Sequence, residues 1–165
     1  MTDESHSHDP ALHLLHAPVC VIGAASAGQT AGLTAAWVTR VSLDPARLLV
    51  AVAPTRHTWA ILNAAGVFSV SILGEAQVDI GRVFGLCSGR DLDKWSEVAH
   101  VLLNNEDGAD VPALTDCAAR LLCRTVTRVN LGDHDGFVGE IITSEIVDGA
   151  PALAMCGRDW IPDRD

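Results

Sequence analysis

A chain of 165 residues, 48% hydrophobic and 19% charged, has the length and composition of one globular domain and can fold without a metal or disulfide. Its net charge of −10, from 21 acids against 11 bases, argues against a nucleic-acid binder, which needs a basic face for its polyanion. No apolar run reaches the ~18–20 residues that cross a bilayer. The start of the chain holds Asp3, Glu4 and Asp9 ahead of any Lys or Arg, the reverse of a signal peptide, so a cytoplasmic protein is expected. The five cysteines (Cys20, Cys87, Cys117, Cys123, Cys156) are scattered through apolar stretches and read as buried free thiols in a reducing compartment. Lys94 is the sole Lys, and every Arg is a candidate anion ligand.

Residues 1–16 carry His6, His8, His13 and His16 with little periodicity and read as a flexible His-rich extension; no Cys or acid stands at ligand spacing to favour a metal. Residues 17–165 then form the domain proper. Val19–Ala25 is an apolar β-type run, and small turn residues follow from Ser26 to Gly32. Leu33–Ser42 reads as a second strand closed by Asp44-Pro45. Arg47–Ala53, nearly all apolar, is expected to be buried on both faces. Thr58–Ala65 has helical spacing, with Thr58 as N-cap and Gly66 at C′. Val67–Leu73 is a strand, Gln77–Phe84 a helix, and Ser88–Trp95 and Asn104–Asp110 polar loops. Within Ser88–Trp95, Asp91, Asp93 and Lys94 read as a solvated loop capping a short helix.

From Ala119 to Leu131 apolar residues alternate with Arg120, Arg124, Arg128 and Asn130, the period of a half-buried strand. Gly132–Gly136 turns the chain, Phe137–Val147 returns, and Asp148-Gly149 turns it again before a short strand near Ala152–Met155. About six strands, two or three helices and short antiparallel connections predict a mainly β (α+β) domain: a closed or nearly closed barrel with peripheral helices.

Several chemistries lack their residues. There is no Gly-x-Ser-x-Gly elbow, no phosphate loop, no Gly-x-Gly-x-x-Gly fingerprint, no His-Glu-x-x-His and no Cys-x-x-Cys. What remains is Thr55-Arg56-His57-Thr58 at a helix start, where backbone N–H groups, the helix dipole and a guanidinium suit a phosphate. On spacing alone, a plain helix cap with a solvated Arg is the simpler reading.

The order of several short motifs adds to this. Gly32-Leu-Thr-Ala-Ala-Trp37, Val41-Ser-Leu-Asp-Pro45, Leu48–Ala53, Arg56-His-Thr58 and Gly66-Val-Phe-Ser-Val-Ser-Ile-Leu73 are followed by Phe84-Gly85, Ser88-Gly-Arg-Asp91, Asp93-Lys-Trp95, Gly132-Asp-His134 and Gly139-Glu140. In that order they resemble the flavin reductase-like family over residues 17–160 or so. The resemblance implies an FMN-binding split β-barrel of Greek-key type, homodimeric, binding FMN (or FAD) and using NADH or NADPH as co-substrate. It implies that Thr34, Ala35, Ala36 and Trp37 lie along the flavin ring, that Val41 and Ser42 border the ribityl-phosphate, and that Arg56, His57 and Thr58 hold the phosphate. His134 would sit by the nicotinamide or flavin face as the catalytic candidate; without the resemblance it reads as a turn residue. Trp37 and Trp59 read first as core or interface anchors, and Trp160 as a residue packing over a neighbouring subunit's site or as a surface anchor. Three positions depart from the family pattern: Ser71 where Asn is frequent, which would loosen one flavin contact, Ala46 where a second Pro is frequent, and His57 where an aromatic is frequent.

The implied activity is NAD(P)H-dependent flavin reduction, with a separate monooxygenase component as a possible recipient of reduced flavin. The alternatives are an oxidoreductase that keeps FMN bound and reduces another acceptor, and a non-enzymatic flavin-binding electron-transfer module. No nucleic-acid or membrane partner is expected.

Overall fold

The computed structural model describes residues 10–104 and 110–155. A 3-10 turn at Pro10–Leu14 leads into β1 (Ala17–Pro18), which pairs with the late strand β11 (Ala154–Met155). Residues 1–9, carrying His6 and His8, and Trp160 lie outside the described residues. β2 (Cys20–Ser26) and β3 (Gln29–Ala35) form a hairpin whose loop is Ala27-Gly28, both at positive φ (51° and 76°), the twist a two-residue turn requires. The expected turn over Ser26–Gly32 is therefore mostly strand.

The expected single strand Leu33–Ser42 is two: β3 ends at Ala35 and β4 (Val38–Leu43) begins after a corner at Ala36-Trp37. β4 turns at Asp44-Pro45 into β5 (Ala46–Val52), which leads through Pro54 to α1 (His57–Ala65) and then β6 (Val67–Ile72). Two long strands, β9 (Ala119–Asn130) and β10 (Asp135–Ile146), complete an antiparallel seven-stranded sheet in the order β3-β2-β6-β9-β10-β5-β4. β5 and β6 follow one another in the chain yet stand apart with β9 and β10 between them, the interleaving of a Greek key. β3 and β4 occupy opposite ends of the ladder but are joined by two residues, so the sheet curls until its ends meet at the Ala36-Trp37 corner. There Ala51 N donates to Trp37 O at 3.0 Å.

Inside the curl lie Cys20, Ile22, Ala24, Leu48, Val50, Val52, Phe68, Val70, Cys123 and Phe137, with Ile61 and Leu62 of α1 packed among them. The outer face of β2 is covered as well. Val19 and Val21 pack against Phe84 of α2 (Val78–Leu86), Trp95 of α3 (Lys94–Glu97) and Leu114 of β8 (Asp110–Leu114). Double burial thus belongs to β2. On β5 only Leu48, Val50 and Val52 are buried, because the outer face carries the half-exposed Arg47, paired to Glu140 at 2.8 Å, where two apolar faces were expected.

Other differences have equally local causes. Thr58 is not the N-cap: Arg56 holds that position, no side chain caps the turn, and Thr58 is buried one residue into the helix. Gly66 does end α1, at φ 70°. β7 (His100–Asn104) pairs with β8 where no strand was expected; the middle of the Asn104–Asp110 loop lies outside the described residues. β9 does not alternate as expected: Leu122 and Cys123 are both fully buried, and from the register shift opposite Val138 and Gly139, where Val126 is the extra residue, Val126, Val129 and Leu131 are exposed. Cys20, Cys117 and Cys123 are buried free thiols, but Cys87 is exposed. No described helix is long and apolar enough to cross a membrane.

Candidate functional site

One rim of the barrel gathers the end of β3, the exit of β5, the start of α1 and the β9–β10 turn. Asp135 opposes Val52 in the β10–β5 ladder, which brings the turn carrying His134 beside the segment that leads to Arg56. A direct bond fixes the arrangement: Trp59 Nε1, in the first turn of α1, donates to Asp135 Oδ2 at 3.0 Å. Asp135 is 7% exposed and also accepts from Asn130 Nδ2 at 3.3 Å, while Arg128 pairs with it at 3.6 Å and lies over the Trp59 ring. Trp59 is thus a clamp between helix and hairpin as well as a packing residue.

Beside this clamp is a cavity of about 310 Å³, within the range of small-molecule sites. Thr34 and Thr55–Thr58 line it, with apolar wall from Leu33, Phe84 and Leu86; the segment from Gly85 to Arg90, with Lys94, completes the lining. Of the expected site residues, Thr34, Arg56, His57 and Thr58 come together here. Thr34 spends its hydroxyl on Gly81 O at 2.7 Å. Ala35 points into the barrel core, so its backbone alone is available to a ligand. β3 ends the sheet ladder, which leaves backbone groups on its outer edge unpaired by any neighbouring strand.

The remaining expected residues stand outside the lining. Trp37 is 58% exposed and packs on His134, their ring centroids 4.5 Å apart. His134 Nδ1 lies 2.9 Å from Asp133 Oδ1; a carboxylate only accepts, so Nδ1 bears the proton. That bond and the imidazole charge hold the Asp133 carboxyl below the usual range. Val41 is exposed and Ser42 half-buried on β4, at a register shift in the β4–β5 ladder. Ala36 sits at the corner between β3 and β4. Ser71 is not among the residues lining this cavity: it is fully buried and its Oγ accepts from Leu114 N at 3.1 Å, tying β6 to β8.

Lys94 was read as solvated and is not. It is 4% exposed, and its Nζ donates to Phe84 O and Cys87 O, both at 3.1 Å. Burial is the main cause that pulls its ammonium below the usual lysine range; the Cys87 thiol opposes the shift and the Arg56 charge adds to it. Its being the sole Lys of the chain was the one sequence signal that could have singled it out.

The charge distribution decides what this cavity accepts. Arg47, Arg82, Arg120 and Arg128 are each paired with a carboxylate. Arg56 has no such partner among the described residues, and the first turn of α1 contains no acid and no side-chain cap. An unpaired guanidinium, uncapped amides and hydroxyls in a chain of net charge −10 make a local anion cradle, and the apolar wall beside it suits a flat ring. The donor set therefore fits the phosphate of a flavin nucleotide.

A split barrel with an uncapped, arginine-bearing helix start on its rim suits a phosphorylated aromatic cofactor. The chain belongs to the flavin reductase like domain family, whose model matches residues 12–159. It is 36% identical over 152 residues to an NADH:riboflavin 5′-phosphate oxidoreductase of Streptomyces pristinaespiralis, covering 91% of this chain and 83% of that protein. It is 30% identical over 149 residues to the reductase component of a 4-nitrophenol 4-monooxygenase/4-nitrocatechol 2-monooxygenase from Rhodococcus opacus, covering 89% and 76%. Among solved structures, the Streptomyces globisporus NADH:FAD oxidoreductase in complex with NAD and FAD fragments superposes with a TM-score of 0.79 at 29% identity, covering 95% of this chain and 93% of that one. Several other curated relatives are longer, the chain spanning 62%, 46% and 36% of their lengths.

Proposed function

We propose that this protein is an NAD(P)H-dependent flavin reductase that binds FMN (or FAD) at the rim of its barrel. The observation that carries the reading is the unpaired Arg56 at the uncapped start of α1, a phosphate cradle in a strongly acidic chain. The 83% coverage of a riboflavin 5′-phosphate oxidoreductase supports it. Bound flavin supplies a hydride acceptor at N5 for the C4 hydride of a reduced nicotinamide.

The protein's part is alignment and exclusion of water. Arg56, His57 and Thr58 hold the phosphate. The backbone of Thr34, Ala35, Ala36 and Trp37, on the edge strand and its corner, meets the polar edge of the ring. Val41 and Ser42 border the ribityl chain, and His134, seated on Trp37, faces the nicotinamide with its Nε2. On this reading residues 17–165 are the functional domain and residues 1–16 an extension. Trp37, Val41 and Leu43 on one strand and corner, and Val126 and Val129 on another, form exposed apolar surface that suits a homodimer. Similarity to the reductase component of a nitrophenol monooxygenase supports a separate monooxygenase partner, and a cytoplasmic setting fits the buried thiols.

The test is the visible spectrum of the purified protein, followed by NADH or NADPH oxidation with and without added FMN or FAD. Oxidation that depends on added flavin is the expected result. A bound yellow cofactor that reduced nicotinamide bleaches would make it a reductase for another acceptor. A yellow protein that no nicotinamide bleaches would leave a flavin-binding module and overturn the proposal.

A further inference from the structure

His57 opens α1 and lines the cavity beside Arg56. Its ring is half-buried, and neither nitrogen has a hydrogen-bond partner among the described residues. Gly89 lets the loop after α2 rest against the ring: a Cβ there would come within 2.9 Å of His57 Cδ2. The imidazole is therefore held in place while both of its nitrogens stay unspent.

The charges around it are one-sided. Arg56 precedes it, Arg90 stands in the loop after α2 and Lys94 at the start of α3, and no carboxylate lines this cavity. Cys87, just past the end of α2, is the one remaining titratable side chain of the lining. An adjoining cavity of about 430 Å³, which His57 also lines, carries Asp91 and Asp93. Neither forms an ion pair with His57, and Asp93 accepts from Trp95 N at 3.2 Å. β3 contributes no charged residue to either cavity. With no anion bound, a proton added to His57 joins three cations; with an anion in place it gains an opposite charge. Histidine is the side chain whose ordinary titration falls between about pH 5 and 8, so its proton count responds to such a change.

We propose that His57 couples phosphate binding to proton uptake: it is neutral beside Arg56, Arg90 and Lys94 at and above neutral pH, and it takes one proton from solvent as a flavin phosphate enters, so that an N–H of the imidazolium donates to a phosphate oxygen. The inference rests on the flavin-reductase reading, whose phosphate cradle it makes pH-dependent. The bound state holds one more proton than the free state, so FMN affinity is greatest on the acid side and falls as pH rises through the titration of the bound imidazole. The phosphate, whose second ionisation lies near about pH 6, has the opposite effect, since any proton it loses on binding is released. Riboflavin lacks the phosphate and gains nothing from the added proton, so pH sets the preference for FMN over riboflavin.

Calorimetric titration of the full-length protein with FMN at about pH 7.5, in buffers of different ionisation enthalpy, counts the protons directly. A Cys87→Ser background removes the thiol as a second acceptor. FMN binding takes up a large fraction of one proton, and riboflavin binding takes up none. Between about pH 7 and 8.5 FMN affinity falls several-fold while riboflavin affinity stays level. His57→Gln, which still donates a hydrogen bond but does not titrate, abolishes both the uptake and the slope. His57→Phe does the same, and circular dichroism confirms that each variant is folded. The proton NMR signal of the His57 ring, identified by its loss in His57→Gln, moves toward its charged position when FMN is added. FMN binding without proton uptake, or uptake that survives in both variants and so belongs to Lys94 or another group, overturns the inference and leaves the flavin-reductase reading intact. Failure to bind either flavin at any pH overturns both.

Discussion

Replacing Trp59 with Phe removes one N–H from a buried carboxylate and should loosen the rim on which the cradle and His134 meet. Asp135 would keep Asn130 at 3.3 Å and Arg128 at 3.6 Å but lose its shortest contact, the 3.0 Å bond from the indole. A hydrogen bond to a charged group contributes roughly 1.5–3 kcal/mol. The smaller ring also weakens the Arg128 stacking, worth about 0.5–1 kcal/mol at a partly exposed site. A loss of about 3 kcal/mol lowers the melting temperature of a chain this size by roughly 6–12 °C. Denaturant unfolding of Trp59→Phe, Asp135→Asn and the double variant checks the cause, since groups in direct contact couple by roughly 0.5–3 kcal/mol. The same clamp holds Arg56 and His134 in register, so Trp59→Phe is expected to weaken FMN binding several-fold. Additive stability losses within about 0.5 kcal/mol, together with unchanged FMN affinity, would refute the clamp.

Four other outcomes follow from the same geometry. Arg56→Ala should weaken FMN about tenfold while leaving riboflavin, which lacks the phosphate, unaffected; fluorescence titration of both compounds reads the difference. Gly23→Ala should prevent folding or cost more than about 3 kcal/mol, because its Cβ would collide with Pro112 O and Ser69 Oγ where β2 meets β8; soluble yield and urea midpoint report it. Burial pushes the thiols of Cys20 and Cys123 up to about 12 and that of Cys117 to about 11. The unfolded thiols ionise near 9, so stability from these groups is intact below that pH and falls as pH rises towards 11–12, which urea midpoints across that range would show. In a Cys156→Ser background, maleimide at neutral pH should accordingly label the exposed Cys87 and spare the three buried cysteines, as mass spectrometry would report.

The parts of the fold written in local chemistry were legible. The apolar run of β2, the Gly66 terminus of α1 and the turn before β10 each follow from neighbouring residues. Closure of the barrel was not, because nothing at Ala36-Trp37 breaks a strand by itself: neither residue is Gly or Pro, and the corner exists because opposite ends of a seven-stranded sheet must meet there. β8 escaped for a related reason. Its Pro112 argues against a strand, yet β8 pairs with β7 alone among the described strands, and Pro112 turns its carbonyl to Ser69 Oγ at 2.6 Å. The helix start at Arg56–Thr58 was visible as rich in donors; the far wall of its cavity was not, since residues 55–58 and 84–94 are far apart in sequence.

Lys94 shows why such a site resists reading from sequence. A single lysine beside two aspartates looks solvated. In the fold, α2 ends at Leu86 with an extended Cys87 and no left-handed glycine to close it, so its last carbonyls need a donor from elsewhere. The ammonium of Lys94 supplies it by bonding Phe84 O and Cys87 O, which ties α3 to the end of α2 beside the cavity that Cys87 to Arg90 line. Asp93 then caps α3 by accepting from Trp95 N, and Arg90 is left in the cavity lining with no carboxylate partner among the described residues. The position of Arg90 thus depends on a buried lysine whose ammonium is spent on two backbone carbonyls, and that dependence exists only once the helix end has formed.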